Sequence, residues 1–286
     1  MATSAQRIKR RRKLWWATPG GLCNRSAWRR PLHRVLDTHV LRSHDWPMTR
    51  WRCCGQWQRS LNNKWNSREF AMMLGVPVPE LLWHGRNLLR FPTVGLPDRF
   101  VVRRAWGAAS AQTQIIVDGR ELLDGRACSP SELRALLIGK YGPASIHPLL
   151  MEEFLSADSG QSQRGIEYGF YCFGSHVGLI THAEREGRTG RYCAYDVEWH
   201  PYANGISATH KRTEPIPRPA RLDEMIAVAS RLGEAYGSFV RVDLYNNRRG
   251  IFFGEFSSTP FGGRDITPWA DAHLGSLWSR YCPGAT

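Results

Sequence analysis

No apolar run in this 286-residue chain is long enough to cross a bilayer. Its charged N-terminus is not followed by the apolar core of a signal peptide. Together these absences make the cytoplasm the expected compartment. The seven cysteines (Cys23, Cys53, Cys54, Cys128, Cys172, Cys193 and Cys282) include no C-x-x-C pair. Neither a zinc site nor a disulfide framework is indicated, and reduced thiols are expected. Acidic residues are nearly missing from residues 1–60, where only Asp37 and Asp45 stand against 14 Lys/Arg. That segment therefore carries most of the net charge of +14, and the remainder is close to neutral. There is no internal repeat. Nor is there a steady strand–helix alternation, which excludes a regular parallel α/β fold and leaves α+β lobes.

What is present is ordinary globular composition, 42% hydrophobic and 22% charged, in a length that suits one compact enzyme or two small lobes. Residues 1–60 stand apart. They hold the basic run Arg10-Arg11-Arg12-Lys13 and half of the tryptophans: Trp15, Trp16, Trp28, Trp46, Trp51 and Trp57. No helical or strand period runs through them. Three readings compete: an arm that grips nucleic acid or another anionic polymer by phosphate contacts and stacking, a cap on the core, or an extension ahead of a start at Met48. No helix-turn-helix, RNA-binding or zinc-finger pattern is present, which ranks nucleic acid last.

From residue 61 the pattern becomes regular. Asn63 caps a helix that Gly75 stops, and Val76-Pro77-Val78-Pro79 is an extended connector. Leu81–Trp83, Phe100–Arg103 and Gln114–Val117 read as strands. Ser129-Pro130-Ser131-Glu132 is a capping box with proline at the first helical position, so a helix is expected over about 130–140. Leu149–Leu155 reads as a buried strand. Glu167–Phe173 and His176–Thr181 read as a hairpin turning at Gly174-Ser175. Leu222, Met225, Ile226, Ala229 and Leu232 recur at helical spacing up to Gly237. Thr267-Pro268 opens a last helix with Trp269, Leu274 and Leu277 on its apolar side.

Two strands, Phe239–Tyr245 and Ile251–Ser257, flank a turn-rich link and carry the chemistry. Alternation puts Arg241, Asp243 and Tyr245 on one face of the first, and Phe253, Glu255 and Ser257 on one face of the second. If Tyr245 pairs with Phe253, Asp243 lies opposite Glu255. Two facing carboxylates at about 4 Å repel by roughly 1 kcal/mol in water and about 4 at an intermediate dielectric. A divalent cation such as magnesium would remove that cost. Neutralisation of Asp243 by Arg241, or plain solvation, would do so equally well.

Arg241-Val242-Asp243-Leu244-Tyr245 followed by Phe253-Gly254-Glu255 resembles the metal-binding end of ATP-grasp enzymes, in particular the TupA-like branch named for teichuronopeptide synthesis. Asn63-Lys64 through Arg68-Glu69-Phe70 resembles the family's lysine-bearing opening. Phe100-Val101-Val102-Arg103 resembles its phosphate-contacting strand, and Met151-Glu152-Glu153-Phe154-Leu155 its adenine hinge. Glu167-Tyr168 with Phe170–Phe173, Tyr195-Asp196 with Trp199, and Asp271–Gly275 follow in the family's order. The resemblance covers about residues 61–280.

It implies an α+β ATP-grasp fold, two lobes clasping ATP, with a segment at about 61–98, a lid lobe at 99–155 and a metal-binding lobe at 156–286. It implies ATP and magnesium as cofactors, with Asp243 and Glu255 holding the metal and Ser257 a weaker third ligand or phosphate contact. Lys64 would take part in binding the nucleotide, and Arg103, standing where lysine is usual, would meet the α/β phosphates. Gly107-Ala108-Ala109-Ser110 would be the loop over them, with Ser110 in contact. Backbone at Glu153 and Leu155, beside Phe154, would bind adenine. Glu152 would brace the hinge, and Glu167 would accept from ribose. Arg103, Arg185 and Arg241 are the catalytic candidates. The family pattern is broken at Gly169, where lysine is frequent, and at Asn63, which replaces an acid.

Each residue also has a plainer role. Lys64 and Arg68 fit a solvated helix face, Arg103 a surface strand, Glu152-Glu153 a strand end, and Glu184-Arg185-Glu186 a solvent-facing run. Asp196 fits a structural acid, and Arg264-Asp265 a loop ion pair or a substrate contact. The expected activity is a ligase that converts a carboxylate to an acyl phosphate for attack by an amine or other nucleophile, in tailoring of a cell-surface polymer or peptide. The alternatives are a degenerate ATP-grasp binding protein that uses its basic arm, and a phosphotransferase acting on a hydroxyl.

Overall fold

The computed structural model describes residues 21–22, 40–53, 57–106, 113–156, 166–186, 189–263 and 265–282. Two five-stranded antiparallel sheets form its frame. The first contains β1 (Leu81–Asn87), β2 (Arg99–Arg104), β3 (Thr113–Val117), β4 (Arg120–Glu121) and β5 (Ala144–Glu153), in the order β1-β5-β2-β3-β4. The second contains β6 (Glu167–Phe173), β7 (His176–Glu186), β8 (Thr189–Tyr195), β9 (Phe239–Asn247) and β10 (Gly250–Ser257), in the order β10-β9-β6-β7-β8. Among the described residues the α-helices are α1 (Met48–Trp51), α2 (Lys64–Met73), α3 (Pro130–Tyr141), α4 (Leu222–Tyr236) and α5 (Pro268–Tyr281). Among the described residues no helix is long and apolar enough to cross a membrane. The described cysteines, Cys53, Cys128, Cys172, Cys193 and Cys282, are free.

Local chemistry sets the helix ends. The Asn63 side chain accepts from the Trp65 N–H at the start of α2. Ser129 and Glu132 form the reciprocal capping box of α3, and Thr267 accepts from the Ala270 N–H ahead of α5. Gly237 ends α4 in the left-handed region. Along α4 the buried residues Leu222, Met225, Ala229, Leu232 and Tyr236 form one stripe that covers the second sheet. Full burial of each large side chain there contributes about 1.5–3 kcal/mol relative to exposure. On its other face α5 packs Ala270, Leu274 and Trp278 with Tyr171, Phe173 and Phe239.

Residues 40–53 and 57–60 join the same core. Trp51 is fully buried, with its ring 5.2 Å from that of Phe70 at a near-perpendicular angle, and Trp57 lies 5.4 Å from Phe70. Asn66, inside α2, ties the preceding chain down. It donates to the carbonyls of Val40 and Ser60 and accepts from the Arg42 N–H.

One register differs from the sequence reading. Tyr245 pairs with Phe252, not Phe253, yet Asp243 still faces Glu255, because a β-bulge lies between Phe253 and Glu255. The extra residue at Gly254 shifts the alternation. Phe253 therefore does not share a face with Glu255. It is 1% exposed and packs in the core with Val242, Leu244 and Phe256, while Glu255 turns to the opposite side. Gly254 is the residue that fits this bulge: a Cβ there would lie 2.9 Å from the Tyr245 ring and 3.0 Å from the Asp243 carbonyl oxygen.

Candidate active site

The two sheets face each other across a cleft of about 1030 Å³, open solvent at its mouth included. Its upper wall comes from β2, β3 and the loop after β4: Val101, Thr113, Ile115 and Leu123. Its end is the hinge after β5, with Glu152, Glu153, Phe154 and Leu155. The second sheet is the floor and contributes Glu167, Arg185, Asp243, Tyr245, Gly254 and Glu255, while Lys64 enters from the N-terminus of α2.

The charges in the cleft are arranged in pairs. Lys64 Nζ lies 2.9 Å from Glu255 Oε2. Arg241 grips Asp243 through two nitrogens, with Nε 2.6 Å from Oδ1, and its other end is 3.9 Å from Glu255. Arg103 donates to Glu152 Oε2 at 2.7 Å, and Arg68 reaches the other oxygen of the same acid at 3.2 Å. Arg185 forms a fork with Glu167, at 2.9 Å to each oxygen. At the hinge Glu153 takes Arg249, from the β9–β10 turn, and the Glu80 N–H.

Burial sets the electrostatics apart. Asp243 is 1% exposed, and burial pushes its carboxyl upward against the pull of Arg241. Burial would also raise Glu255, but Lys64, then Arg241 and Arg103, outweigh it and hold that carboxyl down at about 2. Arg241 lies over Gly169, where a Cβ would come 3.1 Å from its Cδ and 3.3 Å from Asp243 Oδ1. The missing side chain at residue 169 is thus what makes room for the Arg241–Asp243 pair.

Residues 140–278, just under half of the chain, match the family model described as TupA-like ATPgrasp. Among solved structures, the D-alanine–D-alanine ligase from Bacillus anthracis complexed with ATP superposes with a TM-score of 0.52 at 14% identity, covering 80% of this chain and 67% of that one. A second structure of that enzyme gives 0.50 at 15% identity, covering 78% and 68%. The fold is ATP-grasp, and within it residues 140–278 match the TupA-like model. No curated protein matches the chain in sequence.

Within this ATP-grasp cleft lie Lys64, Arg103, Glu152, Glu153, Phe154, Leu155, Glu167, Arg185, Asp243 and Glu255. Arg241 joins through Asp243. Ser257 sits opposite Arg241 on β10 but is not part of the lining. The loop 107–110, Ser110 included, and Arg264 lie outside the described residues. Asp196 is bonded to His200 at 3.0 Å, away from the cleft lining. The plain readings of Lys64, Arg68 and Arg103 as solvated side chains do not hold, since all three are engaged with acids at the cleft. The sequence reading missed the apolar wall of Val101, Ile115 and Leu123. The signal was there in β2, where alternation puts Val101 on the same face as Arg103.

Do these residues fit a magnesium ion? The donor chemistry does: two hard carboxylates on adjacent strands of an ATP-grasp floor, with Glu255 35% exposed toward the cleft. Arg241 uses one lone pair on each Asp243 oxygen, and each carboxylate oxygen has a second.

Proposed function

We propose that the chain is a magnesium- and ATP-dependent ligase that activates a carboxylate as an acyl phosphate for attack by an amine or another nucleophile. The observation that carries this reading is the cleft floor, where Asp243 faces Glu255 and each acid is balanced by a cation that a metal–nucleotide complex can replace. Asp243 and Glu255 would hold the magnesium, with Ser257 as an outer contact. Bound there, the ion would neutralise phosphate charge.

The chain's own residues then divide the work. The apolar wall and Phe154 accept the flat face of adenine, with hinge backbone beside Glu153 and Leu155 for its edge. Glu167 accepts from ribose. Arg103, Lys64 and Arg185 surround the phosphates, and Arg103 is aimed by Glu152. Arginine suits this work because its fixed fork can bond two phosphate oxygens at once. Preset charges of this kind stabilise the moving phosphoryl group without reorganising during the reaction. The TupA-like form suggests a carboxylate or acceptor within a cell-surface polymer or peptide.

Calorimetry on the full chain tests the site. Magnesium-dependent ATP binding in the micromolar range, about −8 kcal/mol, is expected, and it should be lost in Asp243→Asn. Binding of equal strength without magnesium, or in that variant, would sink the assignment.

A further inference from the structure

Beyond the nucleotide cleft, the same sheet face carries a second group of chemistry-bearing side chains. Tyr192 on β8 is paired with Ala183 on β7, which is paired with Glu167 on β6. At about 4.8 Å per strand, Tyr192 stands roughly 10 Å across the floor from Glu167. Its phenol folds back over Gly190, where a Cβ would lie 2.8 Å from the hydroxyl, and Gly190 is the partner of Arg185. The open edge of β8 is joined by residues 211–213 through Tyr192 N–H to the Lys211 carbonyl and Thr213 N–H to the Tyr192 carbonyl. That contact delivers His210 to the floor's rim. The His210 ring lies 5.4 Å from Tyr192 and 5.6 Å from Phe261, and Phe261 lies 5.1 Å from Tyr192.

His210 is held by Asp265, 55 residues away. Asp265 Oδ2 lies 2.9 Å from His210 Nδ1 and accepts from the hydroxyls of Ser207 and Thr209 at 2.6 Å each, while Oδ1 accepts from the Thr209 N–H at 2.7 Å. Burial would raise this carboxyl, but those hydrogen bonds hold it below the ordinary carboxylate range. An ionised carboxylate only accepts. Ser207 Oγ is also 2.9 Å from Nδ1, but its hydrogen goes to Asp265, so both close neighbours of Nδ1 are placed to accept. That assigns the hydrogen to Nδ1, and in the neutral ring Nε2 keeps its lone pair. Asp265 is committed on both oxygens to residues 207–210. Its part is to position the ring.

We propose that Tyr192, His210 and Phe261 line the subsite for the attacking amine, and that His210 Nε2 is the general base that takes its proton. This rests on the ligase reading above. In that step the amine nitrogen forms a bond to the acyl-phosphate carbonyl carbon, and the C–O bond to phosphate breaks. Phosphate leaves with the electron pair, and the nitrogen's surplus proton passes to Nε2. The amine enters from the β8 side of the floor, and the nucleotide occupies the β9–β10 side.

The test separates acyl-phosphate formation from acceptor deprotonation. The full chain is given magnesium-ATP, glycine, the nineteen chiral standard L-amino acids and D-alanine as carboxylates, and either hydroxylamine or glycinamide. Hydroxylamine is neutral near pH 7 and traps acyl phosphates without a base. His210→Gln should keep hydroxamate formation within about twofold and lose glycinamide ligation by about 10²–10⁴-fold. Equal loss in both assays, or in neither, overturns the proposal, and so does a wild-type chain that makes hydroxamate but no amide. If the wild type makes neither, the subsite proposal falls, while the ligase reading is judged by the magnesium-dependent ATP binding described above. A second measurement stands apart from it: ¹⁵N spectra of the imidazoles, with His210 assigned by its absence in His210→Gln. The Nδ1–H tautomer is expected, lost in Asp265→Asn, and an Nε2–H tautomer in the wild type overturns the base assignment.

Discussion

The two sides of the cleft are built on different principles. The upper wall and hinge offer aliphatic and aromatic surface with two anchored charge systems, Arg68–Glu152–Arg103 and, at the hinge, Glu153–Arg249. The floor offers three acids, each matched by its own cation. A surface of the first kind suits a flat, weakly polar ring, whose binding grows with the area covered. A surface of the second kind suits a charged group that changes during a reaction, because each pair can exchange partners without leaving a bare charge. The floor is also uneven. Asp243 is buried to the same degree as the core around it, whereas Glu255 is one-third exposed. Two acids that face each other should therefore fail in different ways when removed.

That difference sets the largest expected effect. Asp243→Ala leaves Arg241 buried without its partner and should cost about 3–5 kcal/mol of stability, besides ATP turnover. Glu255→Ala should abolish turnover while moving stability by less than about 1 kcal/mol. Urea denaturation beside a turnover assay reads both, and equal destabilisation by the two changes would break the contrast between buried and exposed acid. Glu152→Gln removes the charge that two arginines share on the hinge side. We expect a loss of about 2–3 kcal/mol, with weaker ATP binding, and no change in melting would mean that the arginines find other acceptors.

Gly254→Ala pushes against the Tyr245 ring and the Asp243 backbone. It should cost about 1–3 kcal/mol and weaken magnesium dependence before nucleotide binding. On the apolar side, Ile115→Ala should lower affinity for ATP and for adenosine alike by about five- to tenfold, close to the 1 kcal/mol scale of lost apolar contact. Selective loss for ATP would assign Ile115 to the phosphate end instead. The smallest effect lies outside the cleft. His44 is raised above the ordinary imidazole value by its hydrogen bond to Glu69. The pair's contribution is therefore complete below the unfolded value and is lost as pH rises through the folded one. It should come to less than about 1 kcal/mol and be absent from Glu69→Gln, as pH-dependent melting would register.

The parts of the molecule legible in the sequence are those governed by neighbours along the chain. Asn63, the Ser129–Glu132 capping box, Thr267-Pro268 and Gly237 mark helix ends through contacts within four residues, and all stand where expected. The facing of Asp243 and Glu255 was legible too, though by a register that is off by one on the β10 side. The bulge that restores it depends on a ring and a carbonyl across the hairpin, which alternation does not encode. β8 went unread because its apolar pattern is broken by glycine and arginine on an edge strand. The His210–Asp265 contact joins residues 55 apart through a loop, and no local spacing could announce it. Composition leaves residues 1–60 open between an arm, a cap and an extension ahead of Met48; within that segment the rings of Trp51 and Trp57 fill the space between α2 and α4.

Those two rings bear on how the protein can be shortened. Trp51 and Trp57 close one end of the core against Phe70 and Tyr236, and Arg52 and Gln58 bond the last carbonyls of α4. A chain trimmed to begin at residue 61, where the regular pattern starts, would expose a hole lined by Phe70, Tyr236 and Phe256. Such a product would aggregate or lose activity for reasons unrelated to catalysis. An active fragment has to begin upstream of Val40, so that Asn66 keeps both carbonyls it holds.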